Sequence, residues 1–418
     1  MLLNNMEGLT HGDSMKFYIY KRDMKLCRNC GVCSYIVRCP SPDRCIGCKS
    51  CYLACPYECI VRIEDISPRD EAKIYVDGEQ YFVPKYVTLK QALETIGFKF
   101  SKFPEPNTIF APCETGGCYT CAVLVNGKLT PLCHYPVLDD IKIETNVEKA
   151  VPLRIVESFI PHTVGGVGTP WWLKSGYSYI EVACFAAGCN LRCPTCQNFT
   201  ITYNSASRPL TPHEAAKKLT KVRRIYGVDR MAISGGEPTL NRRWLVEFFR
   251  ELKRLNPDKK TRLHLDTNAT ILTRDYIDEL IEVGVTDIGP DLKALTLETF
   301  QKVTGIMDKE LARRYLETAW DAVRYLVNEY YPEKVFVGIG IPYNKAFYPD
   351  LDELARFGEE IYKIDSEIQV CVLDYRPEFR ARYLRRPSVD EMLRVKKILE
   401  DVGLKTVIVQ TPFGHIGP

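Results

Sequence analysis

The stretch GCNLRCPTCQN, residues 188–198, places cysteines at 189, 193 and 196 directly behind a short apolar run, YIEVACF (179–185). From that run to the C-terminus, apolar strands alternate with amphipathic helices. Strands are expected over 179–184, 230–234, 262–266, 286–291, 335–341 and 368–374, and helices over 211–226, 241–255, 273–283, 309–330 and 350–363. Repeated β–α units imply a parallel sheet, and six of them imply an α/β fold of the partial (β/α)6 barrel type. A further helix (388–402) and strand (405–410) close this part, which spans 151–418. Ligands in such folds sit at the C-terminal ends of strands, which is where the three cysteines stand.

Composition narrows the class. The 418 residues are 45% hydrophobic and 26% charged with a formal charge of +3, so bulk charge argues for neither nucleic acid nor an acidic membrane surface. No run of eighteen apolar residues suggests a membrane span. The N-terminal MLLNNMEGLTHGDSMKF lacks the apolar core of a secretory signal, and Met15 is an alternative start. Thirteen of the eighteen cysteines lie in the first 133 residues, in tight C-x2-C groups, four lie between Cys184 and Cys196, and Cys371 stands alone. That pattern reads as metal binding in a reducing cytoplasm rather than a disulfide scaffold.

Two further blocks precede 151. Residues 1–70 carry Cys27-x2-Cys30-x2-Cys33-x5-Cys39-Pro and then Cys45-x2-Cys48-x2-Cys51-x3-Cys55-Pro. The second run has the bacterial ferredoxin spacing, and the pair resembles the two-cluster ferredoxins, in which the distant fourth thiolate of each run serves the other cluster. The resemblance implies one [4Fe–4S] cluster on Cys27, Cys30, Cys33 and Cys55, and another on Cys45, Cys48, Cys51 and Cys39. Paired zinc sites are the alternative reading of C-x2-C groups, and Cys59 is surplus. Residues 71–150 carry Cys113-x4-Cys118-x2-Cys121-x11-Cys133, the plant-type [2Fe–2S] signature with a short final gap. This gap is similar to that of the iron–sulfur subunits of succinate dehydrogenase and the N-terminal domains of xanthine dehydrogenase-like enzymes. Hairpin turns at Asp77-Gly78 and Asn126-Gly127, and a helix capped by Thr88 with Gln91, fit the β-grasp fold such a resemblance implies.

In the third block, Cys189-x3-Cys193-x2-Cys196 leaves one iron of a third [4Fe–4S] cluster without a protein ligand, open to a cofactor. The second strand ends in SGGEPTL, with Gly235, Gly236 and Glu237. Together these resemble the radical S-adenosylmethionine (SAM) superfamily. The resemblance implies that the open iron takes the methionine amino and carboxylate groups, that the Gly-Gly-Glu element holds the amino group, and that one electron yields a 5′-deoxyadenosyl radical for hydrogen abstraction. LRIVESF (153–159), the glycine-rich loop after it, LDTN (265–268) and DLKALT (291–296) look like the glycyl-radical-enzyme activases. By that likeness Asp266, Thr267, Asp291 and Lys293 line the methionine end of the nucleotide. Thr195 replaces an aromatic usual in the activases, and Gly165-Gly166-Val167-Gly168 lacks the carboxylate of their loop.

The functional expectation is an anaerobic, self-wired radical oxidoreductase whose N-terminal clusters relay electrons from a low-potential donor. Its substrate is a protein glycine in the activase reading, or an RNA base, peptide or small metabolite in the alternative. A non-enzymatic electron-transfer subunit is the third reading, disfavoured because a carrier needs no nucleotide site. The arginine-rich YRPEFRARYLRRP (375–387) reads as a solvated face ahead of an RNA or acidic-partner contact. Cys184 and Cys371 fall on strands and read as small buried apolar residues.

Overall fold

Two type I′-like turns shape the first part of the chain. Asp77 and Gly78 both have positive φ (50° and 94°), as do Asn126 and Gly127 (49° and 76°). Such turns match the twist of a two-residue hairpin. The computed structural model describes residues 15–174 and 178–418, so the expectation for the first fourteen residues lies outside it. The described chain forms two compact units. One runs to Val151 and takes in Tyr203–Ser207; the other holds Pro152–Thr202 and Arg208–Pro418.

In the first unit, β1 (Tyr18–Arg22) is followed by α1 (Ser50–Ala54) and by β2 (Ile60–Glu64), which pairs antiparallel with β1. Most of the intervening backbone is cysteine-bearing loop. Next come β3 (Glu71–Val76), β4 (Glu79–Pro84), α2 (Leu89–Thr95), the short β5 (Phe100–Ser101) and β6 (Ile109–Phe110), then β7 (Ala122–Val125), β8 (Lys128–Pro131) and β9 (Ile141–Glu144). Five of these make a mixed sheet in the order β4-β3-β9-β7-β8, with β3 and β9 parallel. Thr88 caps α2 and Gln91 returns the bond, the reciprocal box expected from the sequence. The helix lays Leu89, Ala92 and Leu93 against Ile74, Val83, Val123 and Ile141, all at most 3% exposed.

The second unit opens with β10 (Val156–His162), antiparallel to β11 (Glu181–Ala186). It continues through α3 (Phe199–Thr202), α4 (Pro212–Tyr226), β12 (Arg230–Gly235), α5 (Arg242–Leu255), β13 (Arg262–Thr267), α6 (Arg274–Glu282) and β14 (Asp287–Pro290). Then follow α7 (Leu297–Thr304), α8 (Lys309–Glu329), β15 (Phe336–Tyr343), α9 (Asp352–Ile364), β16 (Gln369–Asp374), α10 (Val389–Asp401), β17 (Thr406–Thr411) and β18 (Gly414–Ile416). The sheet runs β10 to β18 in sequence order; β11 to β17 are parallel, and β18 returns antiparallel. It is an open sheet, with no pairing between β10 and β18 among the described residues. Each expected strand and long helix of this unit is present, while β10, α3, α7 and β18 add to them.

The helices form for local reasons. Thr211 and Glu214 make a capping box at α4, Pro212 opens it, and Gly227 ends it in the left-handed region. In α5, Trp244, Leu245, Phe248, Phe249 and Leu252 fall on one buried face. Parallel strands covered on both sides are apolar throughout: Leu263, Leu265, Ile288, Val337, Ile339, Val370 and Val372 are fully buried.

Candidate functional site

The C-terminal ends of the parallel strands converge on one cavity of about 310 Å³. Its wall contains Cys189, Cys193 and Cys196, then Gly235 and Gly236, Asp266 and Thr267, Asp291 and Lys293. Nine of the ten residues expected from the sequence at this site therefore share one space.

Glu237, the tenth, does not line that cavity. Its carboxylate is fully buried behind the wall and accepts four hydrogen bonds: from Thr239 N (3.0 Å), Thr239 Oγ1 (2.6 Å), Thr267 Oγ1 (2.7 Å) and Asn268 N (2.7 Å). It holds the ends of β12 and β13 in register instead of facing a ligand. Its motif partners are glycines because strands crowd them. A Cβ on Gly235 (φ 120°) would sit 2.4 Å from Ala186 N, and one on Gly236 would sit 2.3 Å from Gly188 O. Gly235→Ala is expected to destabilise the protein by about 3 kcal/mol or more, read by thermal unfolding.

Arg154 supports the same turn. It is fully buried just before β10, and its guanidinium donates to Ala187 O (3.0 Å), Glu237 O (2.6 Å) and Pro238 O. Those carbonyls flank the first cysteine and follow the glycine pair. The sequence shows Arg154 only as a charged residue inside an apolar run; nothing in the local pattern names its role.

Burial raises all three thiols, Cys189 and Cys193 to about 12 and Cys196 to about 11. Thiols this reluctant to ionise become thiolates when they bind a metal. Backbone N–H of Leu191 points at Cys189 Sγ (3.4 Å), and Thr202 Oγ1 lies 3.7 Å from Cys196 Sγ. Among the described residues, no three His, Cys, Asp or Glu side chains surround one point closely enough for a mononuclear ion.

Beyond the cysteines the cavity is charged. Lys293 donates to Asp291 Oδ2 and to Tyr375 OH (2.9 Å). Burial alone would lower the Lys293 pKa, but Asp291, Tyr375 and Cys193 outweigh it and hold the ammonium charged. Tyr375 stands at the C-terminal end of β16, a position the strand-end rule could have flagged. Lys174 reaches the cavity from the glycine-rich loop and donates to Val164 O and Gly166 O, both at 2.9 Å. Cys371, Gln410 and His415 complete that end. Cys371 is buried, as expected, but it also faces the cavity. Thr195 Oγ1, Asp291 Oδ1, Gln410 Oε1 and His415 Nδ1 are buried with no hydrogen-bond partner among the described residues. Each such atom costs about 1–3 kcal/mol, so four in one wall mark a place for a polar ligand.

Beneath the cavity lies a charge network. Glu181 is flanked by His264 (3.1 Å), His162 (3.3 Å) and Arg230 (3.9 Å), and His264 also meets Asp266 at 3.1 Å. Gly166 N and Val167 N tie the glycine-rich loop to Glu181 and Asp266. A Cβ on Gly166 would strike Asp266 Oδ2 at 2.0 Å, so this loop accepts only glycine there. Burial pulls the His264 pKa down, but Asp266 and Glu181 outweigh it and raise it to about 9. A folded pKa above the unfolded value contributes stability that is complete below about pH 6.5 and is lost as pH rises through 9. Unfolding free energy is therefore expected to fall by on the order of 3 kcal/mol from pH 6.5 to 9.5, and the fall should vanish in His264→Gln.

The arginine-rich stretch is solvated at Arg382, Tyr383 and Arg385, as expected, but the stretch also has partners. Arg376, Arg385 and Arg386 pair with Glu378, Glu391 and Asp374. Arg380 N and Ala381 N donate to Pro194 O at 3.0 Å each, and Phe379 stacks on Phe199 at 4.9 Å. The stretch braces the loop between Cys193 and Cys196.

In the first unit, a second cavity is walled by Cys27, Cys30, Cys33 and Cys55, the set expected for one cluster, together with Cys59. Cys59 Sγ lies 3.4 Å from Cys55 Sγ, so the surplus thiol adjoins this set. Arg22 donates to Cys33 Sγ at 2.9 Å. The Cys51 thiol is raised to about 12 by burial and then by Cys48, Cys45 and Cys39, the other expected set. In the β3–β9 region Cys113, Cys118, Cys121 and Cys133 are all buried; Cys113 lies 3.1 Å from Cys118, and Cys133 is within bonding reach of Cys113 and Cys121.

Similarity to known proteins covers part of the chain. Probable GTP 3′,8-cyclase of Methanococcus aeolicus is 33% identical over 136 residues, 32% of this chain and 43% of that protein. The same-named protein of Saccharolobus islandicus is 27% identical over 214 residues, 46% of this chain and 67% of that protein. The chain thus spans less than half the length of the first of these relatives. Among solved structures, SuiB of Streptococcus suis bound to S-adenosylmethionine is 16% identical, covers 51% of this chain and 44% of its own, and gives a TM-score of 0.38, too loose a likeness to define the fold. Residues 184–357, which carry Cys189, Cys193 and Cys196, match the profile of the radical SAM superfamily.

Proposed function

We propose that this chain is a radical SAM enzyme in which Cys189, Cys193 and Cys196 hold a [4Fe–4S] cluster with one open iron, and SAM occupies the part of the cavity beside them. The observation that carries this reading is the meeting of three half-buried thiols with a charged Lys293–Asp291 pair and four orphaned polar atoms around one cavity. The donor set fits: thiolates suit iron, and Asp291 and Lys293 offer opposite charges to the zwitterionic end of SAM. When bound, the cluster and SAM together supply reductive cleavage to a 5′-deoxyadenosyl radical. The protein's own part is to orient and enclose. Glu237 and Arg154 fix the backbone around the cysteines, Tyr375 orients the Lys293 ammonium, and the glycine-rich loop covers Asp266.

The first unit supports the remainder of the reading. Its twelve cysteines in ferredoxin-type spacings would hold two [4Fe–4S] clusters and one [2Fe–2S] centre that feed electrons from a low-potential donor. The end of the cavity formed by Lys174, Cys371, Gln410 and His415 would then receive the substrate. The glycyl-radical activase reading draws on the loop over Asp266 and on the Asp291–Lys293 pair. The names of the curated relatives favour a small substrate instead, and we place a small polar molecule ahead of a protein glycine.

Anaerobically reconstituted protein, reduced with dithionite and given SAM, is expected to form 5′-deoxyadenosine, measured by chromatography. Full iron loading without that product would count against the enzyme reading and favour a pure electron carrier.

A further inference from the structure

The charged side chains that line the cavity fall into pairs, with Lys174 left over. Lys293 is paired with Asp291, and Asp266 meets His264, an imidazole whose pKa is raised to about 9, at 3.1 Å. Lys174 is half-buried, and its ammonium donates to Val164 O and Gly166 O, both at 2.9 Å. Those carbonyls are neutral, they leave one of its three N–H groups over, and no carboxylate forms an ion pair with it among the described residues. Burial lowers the Lys174 pKa, and Cys371, Glu181 and Asp266 offset that only in part, from beyond ion-pair reach. Cys371 is itself a neutral thiol near neutral pH, pushed up to about 11 by burial.

Gln410 and His415 stand opposite each other in the β17–β18 hairpin, and both line the cavity with Lys174 and Cys371. Gln410 Oε1 and His415 Nδ1 are buried with no hydrogen-bond partner among the described residues. Burial and then the nearby Lys174 bring the His415 pKa down to about 4, so its ring is neutral beside the ammonium. A half-buried cation without a counter-charge and a buried acceptor without a donor both cost free energy until something supplies them. An anionic group with an O–H or N–H next to it supplies both at once. Resting on the radical SAM reading above, we propose that Lys174, Gln410 and His415 form the substrate's anion subsite. Lys174 pairs with a carboxylate or phosphate of a small organic substrate, and Gln410 Oε1 accepts from a hydroxyl or amino group beside that anion. The neutral His415 ring offers one donor and one acceptor next to them. A peptide glycine carries an N–H but no such anion, so this subsite selects against it.

The test is equilibrium dialysis of the whole, anaerobically reconstituted chain, first with SAM and then with radiolabelled anions at saturating SAM, which keeps them off the open iron. Glycolate probes for a carboxylate substrate and inorganic phosphate for a phosphorylated one, while acetate lacks the donor for Gln410. A carboxylate substrate gives glycolate binding about threefold or more tighter than acetate; a phosphorylated one gives binding of phosphate alone. Lys174→Gln removes the charge but keeps an N–H donor for the loop carbonyls. It is expected to weaken the bound probe about tenfold or more, and Lys174→Arg to hold it within about threefold of the parent. Binding of neither glycolate nor phosphate, or equal binding in the parent and Lys174→Gln, would overturn the subsite. A parallel loss of SAM in Lys174→Gln would also overturn it, because Lys174 would then belong to SAM. Failure of the parent chain to bind SAM at all would instead overturn the radical SAM reading, a result distinct from each of these.

Discussion

Cys196→Ala is expected to bring SAM-dependent 5′-deoxyadenosine formation down by about a hundredfold or more, to background. Loss of orienting groups around metal ligands already costs about 10–100-fold, and a ligand matters more than its supports. Cys196 stands beside Thr202, and its loss opens one corner of the three-thiol set. Cys371 lines the same cavity, but on β16, at the end with Lys174 and His415. Iron should fall by about four atoms per chain in the variant, and the [2Fe–2S] absorption should stay. A variant that kept both its iron and its product would place the reaction elsewhere.

The second large effect is structural. Arg154→Met keeps the volume of a fully buried side chain and removes its donors. The carbonyls of Ala187, Glu237 and Pro238 would lose a charged partner in a dry interior. Removing one side of such a buried arrangement costs about 3–5 kcal/mol. For a unit of this size that corresponds to a fall in Tm of roughly 5–10 °C, read by circular dichroism. A change below about 1 kcal/mol would mean that these carbonyls find other donors and that Arg154 is not the support described.

The contrast between these two residues shows what the sequence could and could not reveal. The three cysteines and the strand that carries them were legible, because metal ligands need fixed spacing and buried parallel strands are apolar runs. So were Asp291 and Lys293, two residues apart at a strand end. Arg154 was not, because its partners are carbonyls 33 to 84 residues away and no local pattern encodes them. Glu237 was legible as a motif residue but not in its orientation, which depends on Thr267 and Asn268 arriving from β13. β10 was missed because its bulge between Glu157 and Ile160 breaks the alternation that marks a strand. The arginine-rich stretch was legible as a solvated face at Arg382, Tyr383 and Arg385, but not in its contact with the Pro194 carbonyl, which no local pattern encodes. In the first unit, Asp77-Gly78, Asn126-Gly127 and the Thr88 cap were readable from two to four residues each, since their geometry is local.

The central claim is that one chain holds a radical SAM cluster and three further centres. Iron and acid-labile sulfide analysis with Mössbauer spectroscopy, on the anaerobically reconstituted full chain, tests it most directly. The account predicts fourteen iron atoms per chain, two of them in a [2Fe–2S] centre and the rest in [4Fe–4S] clusters. About four iron atoms, all in one cluster type, would contradict it and leave a radical SAM domain without its own wiring.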